Sequence, residues 1–172
     1  MRNPKRIPIV LDLIQNNYHQ FLIDCGVETD DVLDSTQLFL VKRPEIEQFW
    51  LENPDLRLGQ VFVNMGTIEN FPGFWYYKEE TDYVVEKGFC KFEDIHFWGV
   101  NYTKEMVRLP ETEFRLLKDL DIDHIRAIII FLEKNKQNTN PKYMAYFKKR
   151  IEEDDQMDQL INEVLPKSPD NE

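Results

Sequence analysis

Residues 50–60 read Trp50-Leu51-Glu52-Asn53-Pro54-Asp55-Leu56-Arg57-Leu58-Gly59-Gln60. Proline disfavours the helical conformation in the residue before it, so Asn53 is expected to be extended and the helix that reaches it to stop there. Pro54-Asp55 can open the next helix, with the carboxylate in a first turn where the helix dipole favours negative charge. Upstream, Pro44 suits the first turn of the helix that ends at Asn53, because its missing N–H would have been unpaired there. Ile46, Phe49 and Trp50 form that helix's inward stripe. Downstream, Leu56, Leu58, Val61, Phe62 and Met65 follow, with Gly59 permitting close approach of another element and Gly66 as the stop. The stretch therefore reads as a corner between two helices. A DNA-reading helix–turn–helix is disfavoured, because the second helix carries a single cation, Arg57, among apolar and neutral residues.

Working towards the N-terminus, Ile7, Val10, Leu11, Ile14, Tyr18, Phe21 and Leu22 recur at spacings of three and four, which predicts one long amphipathic helix ending near Gly26. Residues 28–36 read as a polar turn with room for one helical turn inside it, and Gln37–Lys42 fits either a short strand or a helix. Towards the C-terminus, Phe71-Pro72-Gly73-Phe74-Trp75-Tyr76-Tyr77 combines a Pro-Gly turn with aromatics that favour an extended segment. It reads as a strand covering the core, or as an exposed recognition surface of the kind enriched at interfaces. A short helix over Glu79–Lys87 follows, with Tyr83 and Val84 inward and Gly88 as its stop.

A strand is expected near 95–102, and Met106–Leu109 and Phe114–Leu117 can add two more around a Pro110-Glu111 turn, giving an antiparallel hairpin or a three-stranded sheet. Asp121 or Asp123 caps a helix running through Glu133, and Pro141 opens a last helix that the acidic residues 152–155 bend or split. The fold class expected is α+β: a mainly helical N-terminal module packed with a small antiparallel sheet and two C-terminal helices. Modules are expected at 1–90 and 91–165, or one continuous domain, with 166–172 as a frayed tail.

The chain has 172 residues, a formal charge of −11, 42% apolar and 13% aromatic residues, enough apolar area to form a packed core. The longest apolar run, Ala127–Leu132, falls far short of the roughly 20 residues of a membrane span, so no membrane partner is expected. The opening Met1-Arg2-Asn3-Pro4-Lys5-Arg6 lacks the apolar region of a secretory signal. Two cysteines, Cys25 and Cys90, show no CxxC spacing, which suits a reducing cytoplasm. The negative charge argues against direct duplex nucleic-acid binding, since that affinity rests on cations neutralising phosphates. An acidic mimic of nucleic acid remains open, as does an ordinary solvated surface.

Among strings that could carry chemistry, Asp119-Leu120-Asp121-Ile122-Asp123-His124 is the most suggestive. Its alternation resembles the start of a calcium loop, but the glycine position holds His124 and the bidentate-glutamate position holds Ile130, so that reading fails. One aspartate capping a helix and another favouring its positive end is the plainer account; His124 with Asp123 is the weak acid/base alternative. His19, His96 and His124 are dispersed and no zinc spacing, phosphate-cradling loop or hydrolase elbow occurs, so no metal and no cofactor is expected. Arg57 is expected to tie down Asp55 or a helix end, or else to contact an anion or a partner's carboxylate. Lys148-Lys149-Arg150 beside Glu152-Glu153-Asp154-Asp155 reads as pairing along a solvated helix.

Arg6-Ile7-Pro8, the NPDLRLGQ string at 53–60 and Trp75-Tyr76-Tyr77-Lys78-Glu79-Glu80 together resemble small uncharacterised proteins of bacteria, phages and prophages. Phe97-Trp98-Gly99 followed by Leu116-Leu117-Lys118-Asp119-Leu120-Asp121-Ile122-Asp123-His124-Ile125 is similar to a second phage-type module, in which a strand and hairpin lead into a KDxxxDH helix start. The resemblance implies a two-module protein of phage or mobile-element origin, and brings no catalytic residue with it. The expectation is a non-catalytic accessory protein that binds a host or phage macromolecule, a protein partner foremost, with Arg57, Gln60, Trp75, Tyr76 and Tyr77 as candidate binding residues. The alternatives are a small enzyme or nucleotide sensor using Arg57, Asp119, Asp123 and His124, and the acidic mimic.

Overall fold

A computed structural model describes residues 2–26, 32–67, 79–103, 107–135 and 139–164. The architecture is α+β, with helices and one two-stranded antiparallel sheet among those residues. The chain divides into two compact units, 1–117 and 118–172, so the boundary expected after residue 90 lies inside the first.

The first unit begins with α1 (Arg6–Asn16) and α2 (Tyr18–Asp24). The predicted apolar stripe is correct: Ile7, Val10, Leu11, Ile14, Tyr18, Phe21 and Leu22 are all buried. It runs over two helices rather than one, because Asn17 leaves the helical region at φ −124°, ψ 27° and its side-chain amide donates to the Leu13 carbonyl at 2.8 Å. Asparagine offers the backbone this local alternative to the helical ladder, so it interrupts a pattern whose spacing continues past it.

The third helix, α3 (Val32–Glu52), corrects the reading of Pro44. Gln37–Lys42 is helical and Pro44 sits inside the helix rather than in its first turn. An interior proline removes one ladder hydrogen bond and costs about 3 kcal/mol, so something must hold both sides of it in place. Upstream, Phe39 is buried and stacks on Tyr18 with ring centroids 4.4 Å apart; downstream, Ile46 and Trp50 are fully buried. Beside the proline, the Arg43 guanidinium hydrogen-bonds Asp12 and Gln15 of α1. These tertiary contacts outweigh the local preference.

After Glu52 the chain turns, with the Asn53 side chain donating to Phe49 O at 2.9 Å. Pro54-Asp55 lies in that turn, and α4 (Leu58–Asn64) begins at Leu58 rather than at Pro54-Asp55, with Arg57 extended at its N-terminal cap. The Gln60 side chain accepts the Arg57 backbone N–H at 2.8 Å, satisfying a donor at the helix start. Helix α4 ends before Gly66, and α5 (Glu80–Glu86) before Gly88; both glycines take positive φ, 59° and 72°, the left-handed exit that a side chain would strain. Phe21, on α2, meets Phe62 of α4 edge-on at 5.5 Å and Tyr83 of α5 at 6.1 Å, so five helices converge on one core.

The sheet pairs β1 (Phe97–Tyr102) with β2 (Arg108–Leu116). Of the hairpin or three-stranded sheet that the sequence allowed, the described residues form the two-stranded antiparallel pair, and Pro110-Glu111 lies within β2 instead of forming a turn. The register is regular from Phe97↔Leu116 to Val100↔Glu113 and then shifts to Tyr102↔Arg108. Pro110 falls in this irregular stretch, where a residue without an N–H leaves no ladder bond broken.

The second unit holds α6 (Ile122–Lys134) and α7 (Pro141–Val164). Pro141 opens α7 as predicted, and the helix runs on through residues 152–155 without splitting. Asp154 and Asp155 instead accept hydrogen bonds from Arg126 of α6, at 3.1 and 2.6 Å.

Candidate functional site

The densest polar constellation among the described residues surrounds the NPDLRLGQ string in the first unit. Its centre is Arg6, 5% exposed at the start of α1, whose Nε donates to Glu80 Oε1 at 2.6 Å. Three of the four remaining guanidinium protons are also used. Arg6 Nη1 donates to Asn3 O at 2.9 Å, and Nη2 to Pro54 O at 2.8 Å and Leu56 O at 3.3 Å. The guanidinium lies 5.4 Å from the centre of the Trp50 ring, and the Trp50 indole N–H donates to the same Leu56 carbonyl at 2.8 Å. The corner that follows Asn53 is thus wrapped around a buried cation, with its carbonyls turned inward to receive the protons.

Glu80, 1% exposed, stands at the first position of α5, where the positive helix end adds to the attraction of Arg6. A buried charge is tolerable only with its partner and hydrogen bonds in place, and here both are present. Next to it Glu79, more exposed, accepts from Arg2 and from Arg57, whose Nε and Nη2 lie 3.2 and 2.9 Å from the same carboxylate oxygen. Arg2 reaches Glu80 as well, at 3.4 Å, and its backbone N–H donates to Asp55 at 2.8 Å. Three guanidiniums and two adjacent carboxylates therefore tie the N-terminal segment, the α3–α4 corner and the start of α5 together.

Arg57 is brought into this cluster and spends its forked donors on Glu79; Gln60 spends its oxygen on the cap of α4. Trp75, Tyr76 and Tyr77, and the whole 71–77 stretch, lie outside the described residues. Arg2, Arg6, Glu79 and Glu80 were not among the candidate binding residues, although Arg6 and Glu79-Glu80 stand in the signature strings. The four-residue spacing of Arg2 and Arg6, with a Glu-Glu pair heading a short helix, is the signal that could have pointed to them.

A second group forms around Asp24 at the end of α2. Burial disfavours its charge, but hydrogen bonds from Lys87 (2.9 Å), Tyr83 OH (2.7 Å) and Gln20 (3.1 Å) outweigh that and hold the carboxyl below its ordinary range. The neighbouring Cys25 thiol is pushed far up, first by burial and then by the Asp24 charge. Burial, then Asp94 and Glu93, raise Cys90 to about 11. Both thiols are thus protonated at neutral pH, the unreactive form.

The Asp119–His124 string starts the second unit. Asp121 is the cap of α6: its carboxylate accepts the His124 backbone N–H at 2.8 Å, while Asp123 lies exposed in the first turn. His96, in the first unit, stacks on Phe92 with ring centroids 4.0 Å apart and places Nδ1 2.9 Å from the Phe92 carbonyl. Among the described residues, no group of three or more His, Cys, Asp or Glu side chains could hold a metal ion, and no helix is long and apolar enough to cross a membrane.

Compared with family models, curated proteins and solved structures, the chain matches none.

Proposed function

We propose that the chain is a non-catalytic accessory protein, of the phage or mobile-element kind its signature strings resemble, that acts by binding a protein partner through the far end of α7. The observation that carries this reading is the exposed apolar stripe there. Arg126, near the start of α6, pairs with Asp154 and Asp155, so α7 runs on beyond the N-terminal start of α6. On that extension Met157, Leu160 and Ile161 share one face at helical spacing and are 58%, 55% and 45% exposed. Residues 151–164 also carry six carboxylates and no lysine or arginine. An apolar seam bordered by negative charge suits a partner surface with apolar pockets and a cationic rim.

The polar clusters support a binding role over an enzymatic one. Arg57 is engaged with Glu79 and Asp121 with a helix end, so two groups of the chemical-looking strings serve the fold. The aromatic-rich stretch 71–77 precedes Glu79 in sequence, and Trp75, Tyr76 and Tyr77 are kept as candidates for a separate binding segment of the first unit.

Affinity capture with chemical crosslinking tests the reading, using wild type, Leu160→Asp and Trp75→Ala. A discrete partner crosslinked to α7 and lost with Leu160→Asp is the expected result. An identical crosslink pattern for wild type and Leu160→Asp overturns it. The same carboxylates favour acidic mimicry as the second reading, which requires in addition that oligonucleotide compete with the chain for its partner.

A further inference from the structure

The longest apolar run, Ala127–Leu132, lies in the middle of α6, and one helix face cannot absorb all of it. Ile125, Ile128 and Leu132 are buried and take one side of the helix. The other side presents Ile130 at 64% and Phe131 at 53% exposure, with Ala127 exposed beside them. A helix apolar on opposite faces is one that packs on both.

The exposed face carries a pattern that names its occupant. Asp123, Ala127, Ile130 and Lys134 follow one another at spacings of four, three and four, the straight seam of a helix that packs lengthwise against another. The seam is self-complementary when reversed. With a second α6 laid antiparallel, the twofold axis between Ala127 and Ile130 sets Ala127 opposite Ile130 and, at the same stroke, Asp123 opposite Lys134 at both ends. All four residues are exposed, and neither Asp123 nor Lys134 makes an ion pair among the described residues. The small Ala127 lets the axes approach within the ordinary 8–10 Å, and Phe131 flanks the seam to widen the covered area.

From this geometry we infer that α6 is a homodimerisation helix, the partner being a second copy of this chain docked antiparallel through Asp123, Ala127, Ile130 and Lys134. Such an interface is isologous, with the same patch contributed by both copies, the commonest symmetry of soluble oligomers. The helix spans about 20 Å, so the area it buries belongs with small, concentration-dependent interfaces. Each copy carries a charge of −11, and this long-range repulsion opposes the pairing at low salt. A partner of other chemistry on this face would have no need of the reversed charge order.

Sedimentation velocity of the full chain, at ~0.15 M ionic strength and over a concentration series reaching the near-millimolar range, reads the outcome directly. Wild type is expected to shift from monomer to dimer. Asp123→Lys places lysine against lysine twice by symmetry, and Lys134→Asp places aspartate against aspartate twice. Each is expected to weaken the dimer by roughly tenfold or more. The combined Asp123→Lys/Lys134→Asp variant restores opposite charges and is expected to recover wild-type association. Ile130→Asp is expected to stay monomeric, with an unchanged circular-dichroism melt showing that the fold is intact. A wild type that remains monomeric throughout overturns the inference. So does a dimer that survives Ile130→Asp, or a double charge swap that fails to recover what the single reversals lost.

Discussion

Glu80 and Arg6 show what a single buried charge demands of its surroundings. Their side chains are 1% and 6% exposed, joined at 2.6 Å, and Arg6 also donates to the carbonyls of Asn3, Pro54 and Leu56. Removing one partner leaves the other buried without compensation. Glu80→Ala is accordingly expected to cost about 3–5 kcal/mol in urea unfolding, shifting the midpoint without changing the slope. Replacing both, as Arg6→Met with Glu80→Leu, is expected to recover much of that loss, since no charge then remains in the interior. Asp24 supplies a pH-dependent counterpart. Its carboxyl is held below its ordinary value of 3.8 in the folded chain, so its stabilisation is fully present above that value. It is lost as pH falls through the lower folded value. Asp24→Asn is expected to lower stability at neutral pH and to flatten that part of the acid limb, as read from unfolding midpoints between neutral pH and about pH 2.

At the scale of elements, local signals and tertiary contacts compete, and Pro44 records a contest that the contacts won. Because α3 passes straight through it, Pro44→Ala is expected to return a ladder hydrogen bond and raise stability by up to about 3 kcal/mol, measured by thermal or urea unfolding. Asp121 is the opposite case, a local signal that the fold uses as it stands. Its carboxylate caps α6 through the His124 N–H, so Asp121→Ala is expected to cost about 1 kcal/mol. Both elements were visible in the sequence through their apolar spacing, Ile46, Phe49 and Trp50 in the second half of one and Ile125, Ile128 and Leu132 in the other. The cap could be read because it involves residues three apart. The proline was misplaced because its neighbours' contacts lie on α1 and α2, which no window along the chain contains.

For the whole molecule, the buried apolar cluster of the first unit runs from Ile7 to Ile95, while α7 in the second unit is largely exposed beyond Asp154. Local opening free energy follows buried contact, so amide exchange should divide accordingly. Hydrogen exchange is expected to be slowest in α1, α4 and α5 and fastest, among the helices, over residues 156–164. If α7 carries the partner-binding surface, protection there should rise when a captured partner is added, with the first unit unchanged.

The sequence alone was sufficient for whatever depends on neighbours along the chain: the α+β class, the inward stripe of α1 and α2, the helix stops at Gly66 and Gly88, the start of α7 at Pro141 and a cap of α6 at Asp121 or Asp123. These follow from side-chain periodicity, from proline's missing N–H and from glycine's freedom at positive φ, all of which act within a few residues. Only the tertiary structure decided that Arg57 holds Glu79, that Arg6 is buried against Glu80, that one strand passes through Pro110 and that α3 continues across Pro44. Arg6 and Glu80 lie 74 positions apart. Nothing in the residues between them states that they meet, because a charge pair forms wherever the apolar core brings its two halves together, and that is a property of the packed chain.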